Sequence, residues 1–144
     1  MNRIICFFAG HRKIPQDIFP AVLKAVEKCI TELGVTEFIV GHYGEFDNIA
    51  AKAVGTVKKK YDVRLTLLLP YHPAEHFTAV SEDFDGIFYP QGMEKVPHRA
   101  AIIRANKYAV DMAECIICYV NHPGNSRNVV EYARRKNKTI IEIP

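Results

Sequence analysis

The sequence runs CIICYV over residues 115–120, NHPGNSRN over residues 121–128 and VVEYA over residues 129–133. This order predicts a buried strand, a tight turn around Pro123 and Gly124, and the first turns of a helix. Backbone N–H groups at the start of a helix have no partner within it, and the helix dipole adds positive potential there. The segment therefore predicts an anion site, of the kind that binds phosphate, just beyond the strand.

Apolar runs alternate with helical periodicity on the N-terminal and C-terminal sides of this segment. Predicted strands cover residues 4–9, 38–40, 64–69, 115–120 and 139–143, with a minor strand over residues 86–89. Predicted helices cover residues 17–33, 46–61, 99–113 and 126–136, and Gly34 follows the first of them as a left-handed cap. Such alternation predicts right-handed crossovers and a mostly parallel sheet with helices on both faces, which is a three-layer α/β/α domain.

Length and composition set the broad class of protein. The chain has 144 residues, of which 49% are hydrophobic, and it fits one domain over residues 1–144. The net charge of +3, from 19 basic and 16 acidic residues, is too mild to argue for a nucleic-acid partner. The basic clusters at residues 58–60 and 134–136 are expected at helix ends, where cations suit the dipole. No apolar run approaches the roughly 20 residues of a membrane span, so we expect a soluble, cytoplasmic protein without a membrane partner.

The cysteines do not predict a metal site. Cys115 and Cys118 form a C-x-x-C, but residues three apart in a strand point to opposite faces, and no second pair completes a zinc site. We expect all four cysteines to be buried reduced thiols: Cys6, Cys29, Cys115 and Cys118. The string HPAEH at residues 72–76 matches a metalloprotease pattern, but a proline inside it rules out the helix that this pattern needs.

Three loops that follow predicted strands form the candidate ligand site. In an open parallel sheet, ligands bind beyond the carboxyl ends of the strands, where the strand order reverses. This rule selects GHRK at residues 10–13, GHYGEFD at residues 41–47 and the turn at residues 123–128. Glycines in all three loops allow a ligand to approach the backbone closely. The candidate ligand-binding residues are Gly10, His11, Arg12, Gly41, Gly44, Asp47, Pro123, Gly124, Asn125, Ser126, Arg127 and Asn128.

Several of these side chains have two interpretations. Arg12 either clamps a phosphate in a bidentate pair or forms a surface ion pair. Asp47 either caps the second helix or accepts a hydrogen bond from a ribose hydroxyl. Ser126 and Asn128 either donate to phosphate or cap the last helix. Glu131 is the candidate catalytic residue, as an acid or base, although a carboxylate there also stabilises the helix dipole.

The three loops together resemble motifs of the SLOG superfamily, which joins the DNA-processing protein DprA with the Lonely Guy phosphoribohydrolases. The resemblance rests on AGHR at residues 9–12, on G-x-x-G-x-x-D at residues 41–47, and on HPGNSRN at residues 122–128 followed by Glu131. The branch that it resembles most is that of small bacterial proteins with a Gly-His-Arg signature. The superfamily implies a Rossmann-like sheet with core order 3-2-1-4-5, nucleotides or nucleotide-derived molecules as ligands or cofactors, and a homodimer.

Lonely Guy enzymes hydrolyse the N-glycosidic bond of nucleoside monophosphates with a P-G-G-x-G-T-x-x-E motif. Here Pro123, Gly124 and Glu131 match that motif, whereas Asn125 and Arg127 replace glycines. We therefore expect a domain that binds or senses a nucleotide or a nucleotide-derived phosphate ligand. Two alternatives stay open, so the sequence does not decide whether the chain is an enzyme. One is a phosphoribohydrolase-like enzyme that uses Glu131, and the other is a regulatory partner protein with a vestigial pocket.

Overall fold

A six-stranded sheet with helices on both faces organises the chain. The computed structural model describes residues 3–41, 44–72 and 84–144. The strands are β1 (Ile5–Gly10), β2 (Glu37–Val40), β3 (Arg64–Leu68), β4 (Gly86–Phe88), β5 (Cys115–Tyr119) and β6 (Thr139–Glu142). The helices are α1 (Phe19–Leu33), α2 (Glu45–Val57), α3 (Ala101–Met112) and α4 (Asn125–Arg135). Short 3-10 turns lie at Gln16–Ile18, Met93–Lys95 and His98–Ala100.

The strand order is β4-β3-β2-β1-β5-β6, and every neighbouring pair is parallel. The five major strands follow the predicted order 3-2-1-4-5, and the minor strand β4 pairs with β3 at the edge. The predicted three-layer α/β/α fold with a mostly parallel sheet is therefore confirmed. The chain adds strands on one side of β1 as far as β4, and then returns to place β5 on the other side. This reversal puts the expected ligand crevice between β1 and β5.

Alternating side chains of the strands form two apolar cores, one under each helical layer. In β1, Cys6 and Phe8 pack into the core shared with α1 and α2. Ile5 and Phe7 point the other way, into the core shared with α3 and α4. The continuous apolar run of β1 therefore reflects a strand that is buried on both faces, as in other parallel sheets.

Helix boundaries follow the local sequence signals with small shifts. Gly34 ends α1 with a φ angle of 72°, which confirms the predicted left-handed cap. Helix α2 ends at Val57, before the predicted end at residue 61, because the N–H groups of Lys59 and Lys60 bond carbonyls three residues back. This tightened turn is a common way to satisfy the last carbonyls of a helix. The basic clusters at residues 58–60 and 134–136 lie at the C-terminal ends of α2 and α4, as predicted.

The cysteines lie in the two cores. Cys115 and Cys118 belong to different cores on opposite faces of β5, which confirms the expectation from strand alternation. All four thiols are buried and free of disulfides, as expected. Residues 73–76 of the HPAEH string lie outside the described residues. Within the described ranges, none of the helices has the length and apolar character needed to span a bilayer.

Candidate functional site

A cleft of about 480 Å³ opens at the carboxyl ends of β1, β2 and β5, where the strand order reverses. Its volume lies within the range of about 300–1,000 Å³ that is usual for small-molecule sites. Loops that follow these three strands line the cleft, although residues 42 and 43 of the second loop lie outside the described residues. The three loops predicted to form the ligand site therefore meet at one place in the structure.

Most of the predicted ligand-binding residues line this cleft: Gly10, His11, Arg12, Gly41, Gly44, Asp47, Gly124, Asn125 and Ser126. Pro123, Arg127 and Asn128 lie beside the cleft, in the turn and the first turn of α4, but do not line it. Glu131 is exposed and also lies outside the cleft lining. It follows Ser126 by five positions, which turns it roughly 140° around the helix from the side that lines the cleft.

The α2 side of the cleft is closed by contacts within the protein. Gly44 is the N-cap of α2, and a Cβ atom there would lie 2.7 Å from the Cα atom of Arg12. The N–H of Glu45 donates to the carbonyl of Arg12 at 2.9 Å, and the Glu45 carboxylate accepts the N–H of Ile14 at 2.9 Å. These bonds tie the start of α2 to the loop after β1. The N-cap residue of α2 is Gly44, whereas Asp47 lies in the first turn of the helix.

The end of β1 is closed in the same way. A Cβ atom on Gly10 would lie 2.3 Å from two ring carbons of Phe46, which is itself completely buried at the start of α2. Gly10 is therefore required by the packing of the protein itself. At the end of β2, a Cβ atom on Gly41 would lie 3.2 Å from Oδ2 of Asp47. The Asp47 carboxylate thus borders the cleft beside the end of β2.

The α4 side of the cleft is open. Gly124 is the N-cap, its φ angle of 148° is one that only glycine adopts readily, and nothing lies within 4 Å of a Cβ atom built there. The N–H of Asn128 donates to the carbonyl of Gly124 at 3.1 Å and starts the helical bonding. The N–H groups of Asn125, Ser126 and Arg127 have no acceptor among the described residues. Since the first turn also carries no acidic side chain, an anion there would meet unpaired donors and the positive end of the dipole.

Ser126 links the start of α4 to the end of β1, where the strand order reverses. Its hydroxyl donates to the carbonyl of Gly10 at 2.7 Å, so the first turn of α4 is held against the end of β1. The alternative in which Ser126 or Asn128 caps α4 is wrong, because the N-cap residue is Gly124 and no side chain bonds the free amides. A glycine at the cap position has no side chain to bond those amides, so they remain available to a ligand.

Two histidines join the loop after β1 to the loop after β5. The rings of His11 and His122 stack, with 3.6 Å between centroids and 8° between planes. Only 6% of His11 is exposed, and its Nε2 accepts the backbone N–H of Asn121 at 2.9 Å. An imidazole that accepts at Nε2 is neutral and carries its proton on Nδ1. Burial, and then the neighbouring His122, lower the pKa of His11, which favours this neutral form.

Arg12 supplies an exposed positive charge to the cleft. It lines the cleft together with Lys13, and it forms no ion pair within residues 3–41, 44–72 and 84–144. The alternative of a surface ion pair for Arg12 therefore finds no support in this part of the chain. A guanidinium with free donors matches the geometry of a phosphate.

One wall of the cleft comes from residues that sequence reasoning missed. Side chains from α3, and from the end of β3 and the residues after it, form this wall: Leu68, Pro70, Ile102, Ala105 and Asn106. Asn106 places an amide in an otherwise apolar surface. The sequence feature that could have indicated this position is that Asn106 follows Ala105, which belongs to the buried stripe of α3. A polar residue beside a buried stripe lies at the border between core and surface, where clefts open.

Solved structures with this fold include the two described below, whereas no protein-family model and no curated protein matches the sequence. One is the molybdenum cofactor binding protein from the phototrophic bacterium Rippkaea orientalis, with 14% identity, a TM-score of 0.67, and coverage of 99% of this chain and 77% of that chain. Another is DNA processing protein A from Helicobacter pylori, described for its single-stranded DNA binding mode. It has 14% identity and a TM-score of 0.62, with coverage of 98% of this chain and 65% of that chain. At 14% identity, these two likenesses show that the α/β fold is shared.

Proposed function

We propose that this chain binds a nucleotide or a nucleotide-derived phosphate ligand in the cleft between β1, β2 and β5. The observation that carries this assignment is the open first turn of α4, whose unpaired N–H groups lie beside a cleft lined by Arg12. A phosphate at that turn leaves the rest of the cleft for a sugar and a base. The Asp47 carboxylate is suited to a sugar hydroxyl, and the largely apolar α3 wall is suited to a base. We also propose that residues 1–144 form one domain of the Gly-His-Arg branch.

The two structural neighbours support ligand binding in general. Their descriptions name a cofactor in one case and single-stranded DNA in the other. We favour a small phosphate-bearing molecule for this chain because its net charge is only +3. Proteins that bind nucleic acid through its backbone rely on many cationic contacts to phosphates.

Calorimetric titration with nucleoside mono- and diphosphates, cyclic nucleotides and ADP-ribose tests this function. We expect at least one of them to bind with a Kd below millimolar. We expect Arg12→Ala to weaken that binding by about tenfold or more, because a hydrogen bond to a charged group contributes about 1.5–3 kcal/mol. A short single-stranded oligonucleotide is the comparison ligand. Binding of the oligonucleotide alone, or an unchanged Kd in Arg12→Ala, would overturn the assignment.

A phosphoribohydrolase-like enzyme is the second candidate, favoured by the spacing of eight residues from Pro123 to Glu131. The exposed position of Glu131 outside the cleft lining counts against it, so binding alone accounts better for the site. Chromatography for free base, after incubation with each nucleoside monophosphate, separates the two functions. Release of base that disappears in Glu131→Ala would establish hydrolysis. Bound nucleotide without any release of base would support binding alone.

A further inference from the structure

Three buried thiols converge in the core under α1 and α2. Cys6 comes from β1, Cys29 from α1 and Cys115 from β5, and their Sγ atoms all lie within 4.8 Å of one another. Their exposed fractions are 0%, 0% and 1%. Cys6 and Cys115 are register partners on neighbouring strands, so the sheet itself holds two of the three sulfur atoms side by side. The cluster belongs to the core and not to the cleft lining.

Sulfur atoms at this spacing fit a three-coordinate site. With bonds of about 2.3 Å from a central atom to each thiolate, the sulfur atoms lie roughly 4 Å apart in a planar site and about 3.5 Å apart in the pyramidal site of an atom with a lone pair. Both separations are within the 4.8 Å limit of the cluster. Structural zinc takes four ligands, and no fourth histidine, cysteine or carboxylate of the described residues joins this group. The geometry therefore suits a central atom that is satisfied by three sulfur ligands.

The net charge of the complex decides which central atom is compatible with the apolar core. The thiols lie in an apolar core, where burial of a net charge without a partner is strongly unfavourable. Three thiolates around a monovalent ion keep two negative charges, and around a divalent ion they keep one. Three thiolates around a trivalent atom form a neutral complex. Soft thiolate ligands select thiophilic partners, which for the trivalent state are arsenic and antimony.

We propose that Cys6, Cys29 and Cys115 form a tris-thiolate site for a trivalent thiophilic metalloid. With arsenous acid, each thiol proton leaves with one hydroxyl group as water. Three As–S bonds replace three As–O bonds, three waters are released, and arsenic stays trivalent. Because the thiols have almost no exposed surface, α1 has to open transiently from the sheet before the atom enters. Binding is therefore slow compared with diffusion.

Arsenite titration of the reduced protein, followed by intact-mass spectrometry under native conditions, tests this site. We expect one arsenic per chain, with a mass increase of one arsenic minus three hydrogens, which requires three As–S bonds. We also expect the melting temperature to rise, because the atom binds the folded arrangement of the thiols. A smaller number of As–S bonds, or a lower melting temperature, would overturn the proposal.

Cys118→Ala is the matched control, since Cys118 is equally buried but lies on the opposite face of β5. Arsenic binding should persist in this variant. It should be lost in Cys29→Val and in Cys115→Ala, each of which removes one of the three sulfur atoms, with circular dichroism used to verify that each variant is folded. Binding that survives in the folded Cys29→Val or Cys115→Ala variant would overturn the proposal. Cadmium binding that is tighter than arsenite binding would overturn the charge argument, because it would favour a charged complex.

Discussion

The two helices that begin at the cleft, α2 and α4, are both capped by glycine, yet only α4 is open to a ligand. At α2, Gly44 packs on the backbone of Arg12, Glu45 bonds the loop after β1, and two carboxylates occupy the first turn. At α4, Gly124 has open space around it, and no carboxylate lies in the first turn. The same sequence pattern of strand, glycine and helix therefore packs the protein together at α2 and leaves room for a ligand at α4. An anion is attracted to α4 and repelled by the carboxylates of α2.

The largest expected effect is on the closed side, in Gly10→Ala. The new Cβ atom would lie 2.3 Å from the ring and 2.8 Å from the Cβ atom of Phe46, which is completely buried. Overpacking of this kind costs about 3 kcal/mol of unfolding free energy, measured by chemical denaturation. Gly41→Ala is the control, because among the described residues its Cβ atom meets just the Asp47 carboxylate, with Oδ2 at 3.2 Å. Equal losses in the two variants would show that the end of β1 is not closed by Phe46.

On the open side, we predict that Gly124→Ala loses the stabilisation that phosphate gives to the parent. The φ angle of 148° costs an alanine about 1–3 kcal/mol, and its methyl group enters the space next to the free amides. Thermal melts with and without phosphate, at matched ionic strength, measure the increment, which is the rise in melting temperature that phosphate causes. Gly44→Ala should be less stable than the parent because of the contact with Arg12, yet it should keep the increment. An increment that persists in Gly124→Ala would contradict the assigned site.

Arg12→Ala should separate binding from stability. We expect phosphate affinity to fall by about 1.5–3 kcal/mol through loss of a charge-assisted bond. The unfolding free energy should change by only about 0.5 kcal/mol, because the side chain is exposed and the backbone bonds of residue 12 remain. Calorimetry and denaturation measure the two quantities. Arg127 lies outside the cleft lining, so Arg127→Ala should weaken phosphate binding less than Arg12→Ala does. A larger loss in Arg127→Ala would show that Arg127, and not Arg12, binds the phosphate.

The smallest effect concerns pH. Burial and His122, with a further contribution from Arg127, lower the pKa of His11 in the folded chain, so the unfolded chain binds more protons in acid. The stability that this histidine contributes is full above its ordinary pKa of about 6.5 and is lost as the pH falls through the lower folded pKa. His11→Gln keeps an acceptor for the N–H of Asn121 but does not titrate. Its unfolding free energy should therefore fall less than that of the parent between about pH 7.5 and about pH 5.

Chemical denaturation of the parent and of His11→Gln, repeated across this pH range, measures the two unfolding free energies. Parallel curves for the parent and His11→Gln would show that His11 does not control acid stability.

Local patterns predicted most of the fold, because strands buried on both faces leave continuous apolar runs such as that of β1. The ligand loops were also predictable, since the ends of parallel strands meet at one edge of the sheet. Pattern and spacing did not predict which glycine is open. Gly10 ends β1 and Gly124 lies in the turn after β5, but only the packed structure brings Phe46 against the first and leaves open space around the second.

Contacts that depend on strand register and on the rotation of a helix could not be predicted from the sequence. Cys6 and Cys115 are neighbours because of the register between β1 and β5, which no spacing along the chain reveals. Asn106 reaches the cleft because of how α3 is rotated on the sheet. Glu131 has the spacing from Pro123 that the resemblance implies, but the rotation of α4 places it on the exposed side. Its catalytic role therefore stays a prediction.

Backbone amide NMR of the isotope-labelled chain, titrated with inorganic phosphate, tests most directly whether the first turn of α4 holds the anion. We predict saturable shifts that are largest at the amides of Asn125, Ser126 and Arg127, with little change at Phe46 and Asp47 in the first turn of α2. Shifts that are largest in the first turn of α2, or the absence of any saturable shift at α4, would contradict the assignment of the phosphate site.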